Sequence, residues 1–292
     1  MTTTFADPAR LRGHLLALEG PRHPGQSPEA LARAAEYVAS QLAASGLAVE
    51  RRPFRFRGTE YLNVLATLPG RDAGRPRLLV GAHYDTVPGT PGADDNASGV
   101  AALLEAARLL AHDRPRTTVE FAGFALEEPQ GLTYAVGSRA FAEEARRQGV
   151  RYAGVLVLEM VGYTDARPGS QAVPALLFWK RVPRTGTFLA ATGDGQSARL
   201  LRAFACAARE AVADLPLVTF RTPLRGWLVP ATRLSDNCSF WDAGYPALML
   251  TDTAFLRNPH YHLGSDRVET LDLSFLARVT DAVVAAVRRL AT

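Results

Sequence analysis

Short apolar runs alternate with amphipathic helical stretches along nearly the whole chain. Strands separated by crossover helices imply a sheet, largely parallel, with helices on both faces. Helical spacing is plain over Pro28 to Ser45, where Leu31, Ala34, Ala35, Val38 and Leu42 share one side. Further helices are predicted over 97–111, with Asn96 as N-cap, and over 138–148, 197–213 and 273–290. Strands are predicted over 47–56, 62–68, 77–82, 117–126, 153–158, 187–192 and 245–250. The segment Arg77 to Ala82, RLLVGA, has the unbroken apolar character of a strand covered on both faces. The expected class is α/β: a three-layer α/β/α sandwich around a central mixed, largely parallel sheet. No linker or repeat divides the chain, so residues 1–292 read as a single domain. Loop insertions fall at about 162–184, 219–234 and 251–260, and loops at the carboxyl ends of strands usually build the site.

Hydrophobic residues make up 47% and charged residues 21% of the 292, which excludes a disordered chain, a collagen and a coiled coil. No apolar run reaches the ~20 residues of a membrane helix, so no membrane partner is expected. The start, MTTTFADPARLRGHLL, lacks a basic region followed by an apolar one, which points to a cytoplasmic location. The formal charge is +4, and Lys180 is the only lysine among 33 basic residues. The arginines are scattered rather than clustered, so no nucleic-acid partner is expected. Cys206 and Cys238 form neither a disulfide framework nor a thiolate metal set, and Cys206 falls on the buried face of its predicted helix. The sequence leaves the oligomeric state open.

Four segments rich in metal-ligand side chains follow predicted strands or open a helix. His83-Tyr84-Asp85 ends a buried strand; side chains two apart face the same way, so Asp85 can orient the His83 imidazole. Pro91 to Gly99, PGADDNASG, places Asp94, Asp95 and Asn96 before a helix. Asp95 and Asn96 suit capping, while Asp94 is left over as a carboxylate able to bridge two ions. Glu127 and Glu128 form an adjacent acidic pair at a strand end, as expected where one binds a cation and the other serves as a base. Glu159 continues an apolar strand and needs a partner there. His262 supplies a late imidazole, and Asp266 follows it. Nitrogen and oxygen donors without thiolate suit zinc, with cobalt or manganese as alternatives.

With these residues in place, the sequence resembles the co-catalytic zinc aminopeptidases of the aminopeptidase Y and bacterial leucyl-aminopeptidase type. The matching segments are HYD at His83 to Asp85, PGADDNASG, EE at Glu127 and Glu128, and YH with a downstream Asp at Tyr261, His262 and Asp266. The similarity runs over roughly residues 8 to 290, with the motifs in the family's order. It implies two zinc ions per chain, bridged by Asp94 and held further by His83, Glu128, Glu159 and His262. It implies Glu127 as general acid/base, Asp85 as the carboxylate behind a ligand, and Tyr261 as a helper in holding the oxyanion. The implied reaction removes the N-terminal residue of a peptide or aminoacyl substrate by way of a hydroxide between the metals. Phe178, Trp179, Trp227 and Phe255 are candidates for the wall of the side-chain pocket.

Two departures matter. Glu159 stands where the family usually has Asp, and Leu263-Gly264 where it often has Thr-Pro. The longer Glu159 keeps a single-zinc glutaminyl cyclase as an alternative, beside a non-catalytic relative. Ser235-Asp236-Asn237 reads as a helix cap, with Asp236 reaching the site as the other option.

Overall fold

A computed structural model describes residues 5–174 and 182–292. Among these residues, eight strands form one sheet: β1 (Ala48–Phe56), β2 (Thr59–Leu68), β3 (Arg77–His83), β4 (Val119–Phe124), β5 (Tyr152–Glu159), β6 (Leu189–Gly193), β7 (Leu217–Arg221) and β8 (Ala247–Thr251). Their order is β1-β2-β4-β3-β5-β8-β6-β7. The central four, β4, β3, β5 and β8, are mutually parallel, so their carboxyl ends share one edge. The outer pairs join antiparallel, β2 to β4 and β6 to β8.

Among the described residues, seven α-helices cover the sheet: α1 (Pro8–Leu18), α2 (Pro28–Ala44), α3 (Gly99–Leu110), α4 (Val136–Arg147), α5 (Ala198–Ala211), α6 (Asn237–Asp242) and α7 (Leu273–Leu290). Strand alternation divides the interior into two cores. Leu78, Val80 and Ala82 of β3 and Leu156 and Leu158 of β5 pack toward α1, α2, α3, α5 and α7. Leu79, Val155 and Val157 face the other way, against Phe141 of α4 and Phe240 and Trp241 of α6. The result is the three-layer α/β/α sandwich with a mixed sheet. Among the described residues, no helix is long and apolar enough to cross a membrane.

Local chemistry fixes the helix ends. Asp7 accepts from the Ala9 N–H ahead of α1, and Asp272 accepts from the Phe275 N–H ahead of α7. Pro28 opens α2 where a missing N–H costs nothing. Two of these elements lie outside the predicted pattern, α1 and the short edge strand β7, while α6 is the short helix expected after Ser235-Asp236-Asn237. The predicted cap at Asn96 is displaced, because α3 begins only at Gly99. Both cysteines are free, and Cys206 is exposed rather than buried, turned off the apolar face of α5 toward Glu210.

Candidate metal centre and substrate cavity

The carboxyl edge of the parallel strands gathers six titratable side chains. His83 ends β3, Glu159 ends β5, and Glu127 and Glu128 follow β4 by three and four residues. Asp95 comes from the turn before α3, and His262 from the loop after β8. They form two groups whose ligand atoms lie within 4.8 Å of one another: His83, Asp95 and Glu159, and Asp95, Glu128 and His262. Asp95 is common to both. Its Oδ1 lies 3.4 Å from His83 Nε2, and its Oδ2 lies 3.1 Å from His262 Nε2. Glu159 Oε2 is 3.4 Å from His83 Nε2, and Glu128 Oε2 is 3.5 Å from His262 Nε2.

The shared carboxylate is therefore Asp95, and the expectation for Asp94 is corrected. Asp94 turns away from both groups: its Oδ1 accepts from Gly162 N at 3.0 Å and its Oδ2 from Asn258 Nδ2 at 2.7 Å. The backbone decides which neighbour faces the centre. Asp266, far along the chain, accepts from the N–H of Asp94 at 2.9 Å and of Asp95 at 3.1 Å. Gly92 enters this turn at φ +63°, where a Cβ would lie 2.5 Å from the Asp95 carbonyl oxygen.

Asp85 plays the matching part on the other side. It accepts from the N–H of Glu127 at 3.0 Å and of Glu128 at 3.1 Å, and its Oδ1 lies 3.5 Å from His83 Nδ1. Asn96 ties the centre to β5: it donates to Leu158 O at 2.8 Å and accepts from Met160 N at 3.0 Å. Ser235 donates to Glu159 Oε2 at 2.7 Å. Asp236 makes no capping bond to α6. It is buried close to the centre, and burial, with the Glu159 and Asp85 charges adding to it, pushes its carboxyl up to about 7. Sequence spacing favoured the cap; only the packing of α6 under the β5 end brings Asp236 inward.

Electrostatics mark the cluster as short of positive charge. Burial raises Glu128 to about 8, with the Asp95 charge adding to it. Burial raises Glu127 well above the carboxylate range, and Glu159 and Glu128 push the same way against His83. Burial alone would lower His262, yet the Asp95 and Glu128 carboxylates beside its ring carry it up to about 10. Buried atoms are left without hydrogen-bond partners where the two groups meet: both ring nitrogens of His83, Asp95 Oδ1, Glu128 Oε1 and His262 Nε2. Buried polar atoms are normally satisfied. A set of orphaned imidazole and carboxylate atoms with no thiolate fits divalent cations, zinc foremost.

Glu127 belongs to neither group; its Oε2 lies 3.8 Å from His83 Nε2. Tyr261 stacks on the His262 ring, with centroids 3.7 Å apart and planes 19° apart. Burial and the nearby Asp95 and Glu128 charges raise its hydroxyl, which keeps its proton. Tyr261 and Glu159 also line a cavity of about 420 Å³ walled by Phe188, Leu217, Val229, Met249, Phe255 and Leu256. Of the nominated aromatics, Phe255 lines this cavity. Trp227 stands 67% exposed, with the Arg233 guanidinium 4.2 Å over its ring. Phe178 and Trp179 lie outside the described residues.

Residues 63–287 match peptidase family M28. Protein YfbL of Escherichia coli strain K12 is 35% identical over 294 residues, covering 97% of this chain and 88% of that protein. The chain belongs to peptidase family M28. A relative named leucine aminopeptidase 1, from Arthroderma gypseum, is 28% identical over 243 residues; the match covers 78% of this chain and 58% of that protein. Among solved structures, the Legionella pneumophila LapA aminopeptidase is 20% identical with a TM-score of 0.76, covering 98% of this chain and 72% of that one. A Bacteroides thetaiotaomicron glutaminyl cyclase is 19% identical with a TM-score of 0.73, covering 98% of this chain and 99% of that one. These last two likenesses are of fold.

Proposed function

We propose that the protein is a zinc-dependent aminopeptidase that holds two ions and removes an apolar N-terminal residue from peptides or aminoacyl compounds. The observation that carries this reading is the pair of ligand groups sharing Asp95, with a carboxylate, Glu127, left free of both. In the proposed site His83, Asp95 and Glu159 would hold one ion, and Asp95, Glu128 and His262 would hold the other. Zinc, when bound, lowers the pKa of water and polarises a carbonyl.

The remaining steps fall to the chain's own side chains. Glu127 takes the proton of the attacking water and hands it to the leaving nitrogen. The Tyr261 hydroxyl donates to the oxygen that gains charge. The apolar cavity beside Glu159 receives the first side chain and sheds its water. Attack at the amino end is supported by the relative named leucine aminopeptidase 1.

Glutaminyl cyclisation is the competing reading, supported by the fold likeness to the cyclase and by Glu159 in place of the usual Asp. Metal analysis per chain, on protein never exposed to chelator, separates the two. Two zinc ions, with release of leucine from Leu-p-nitroanilide and none from its N-acetyl form, is the expected result. One ion, with pyroglutamate formed from an N-terminal glutamine peptide, would replace the aminopeptidase with the cyclase.

A further inference from the structure

We infer that Arg22 is a positioning residue for the metal centre, setting the spacing between the β3 end that carries His83 and Asp85 and the turn that carries Asp95. This rests on the metal reading proposed above. Arg22 lies in the connection between α1 and α2, contributes no ligand atom, and is 3% exposed. Its Nε donates to Tyr84 O at 2.8 Å, and Tyr84 sits between His83 and Asp85. Its Nη1 donates to Pro91 O at 3.0 Å and its Nη2 to Gly92 O at 2.9 Å, immediately ahead of Ala93 to Asp95. Nη1 also reaches Gly20 O at 2.8 Å and Leu18 O, which anchors the guanidinium to the end of α1. Its own backbone N–H donates to Thr86 Oγ1 at 2.9 Å.

All these side-chain acceptors are peptide carbonyls. A buried guanidinium normally takes a carboxylate, and four stand near enough to act on its charge: Asp85, Asp266, Asp95 and Glu128. The cation instead sits behind the acidic cluster and grips the backbone on both flanks of it. Burial lowers its pKa only to about 10, so it stays charged at neutral pH. Gly92 is cut to fit, since a Cβ there would lie 2.8 Å from Arg22 Nη2. Metal sites tolerate errors of about ±0.2 Å in ligand distance. A rigid planar fork that spans Tyr84, Pro91 and Gly92 suits that demand, whereas a lysine offers three donors from one point.

The test measures zinc affinity by chelator competition and the visible spectrum of the cobalt-substituted protein, at a temperature where circular dichroism shows every sample folded. Arg22→Lys is compared with the unaltered protein and with Phe204→Leu, a buried change on α5 that lowers the melting temperature away from the centre. The expected result is about tenfold to a hundredfold weaker zinc binding and an altered cobalt spectrum in Arg22→Lys, with neither change in Phe204→Leu. Unchanged affinity and spectrum in Arg22→Lys would overturn the assignment. Should Arg22→Lys not fold, Thr86→Val, which removes the bond to the Arg22 N–H, is read instead. Several-fold weaker zinc supports the assignment and unchanged affinity overturns it. An unaltered protein that takes up no zinc would overturn the metal reading and this one together; zinc in the unaltered protein with an indifferent Arg22→Lys overturns this one alone.

Discussion

Asp94 and Asp95 share a side chain and a place in the sequence, and only the backbone gives them different work. The peptide N–H groups of both are held by Asp266, and Gly92 sets the turn that aims Asp95 at the two imidazoles and Asp94 at Asn258. Asp95→Asn is expected to lose both zinc ions on dialysis, whereas Asp94→Asn keeps them and loses stability; elemental analysis and thermal melts check the pair. Glu127→Gln is expected to retain full zinc while kcat falls by about 10²–10⁴, measured on the same aminoacyl substrate. His83, Glu128 and Glu159 were legible as candidates from sequence because each breaks an apolar pattern or sits beside a strand end, and His262 because of the motif shared with the resembling family. The choice between Asp94 and Asp95 was not, because the residue that makes it lies 172 positions away. The inward turn of Asp236 was hidden for the same reason.

At the scale of elements, strong periodicity made the strands and helices readable, and its absence hid the rest. Each of β3, β5 and β8 is buried throughout or nearly so and reads as one apolar run. β7 escaped because it is a five-residue edge strand, half-buried along its length, with no clean alternation. α3 starts two residues later than predicted: Asn96 accepts from Gly99 N at 3.2 Å while also holding the β5 end, so it serves the junction as well as the helix. Gly99 packs against that junction. A Cβ there would meet Asn96 Oδ1 at 2.4 Å and Leu158 O at 2.8 Å. Gly99→Ala is therefore expected to cost about 1–3 kcal/mol through overpacking, read from the urea midpoint. It should also weaken zinc binding, since Glu159 follows Leu158 directly.

For the molecule as a whole, the centre couples stability to pH and metal. In the metal-free protein Glu128, Asp236 and Asp266 bind protons more tightly than in an unfolded chain, at about 8, 7 and 7, and His262 does so at about 10. Burial is the first cause for the three carboxyls; for His262 the Asp95 and Glu128 carboxylates beside the ring overcome it. A folded state that holds more protons than the unfolded one loses stability as pH rises through those values. Melting temperatures of metal-free protein are thus expected to fall steadily from pH 5 to pH 9. Zinc would take the place of the protons on Glu128 and His262, so the loaded protein should show a flatter profile and a higher melting temperature at pH 8. Calorimetry at both metal states checks the sign.

The proposed ligands are drawn from residues as far apart as His83 and His262, on the turns and loops of both halves of the sheet. Zinc would then act as a rivet through the chain. Leu132 projects fully into solvent at the tip of the loop after Glu128, and a cut there leaves His83, Asp95 and Glu128 on one piece and Glu159 and His262 on the other. Protein cut there by a protease should travel as one particle on a sizing column while zinc is present. Stripped of metal, the two pieces would be left to the sheet pairing of β3 with β5 and the shared cores, and should separate at lower denaturant.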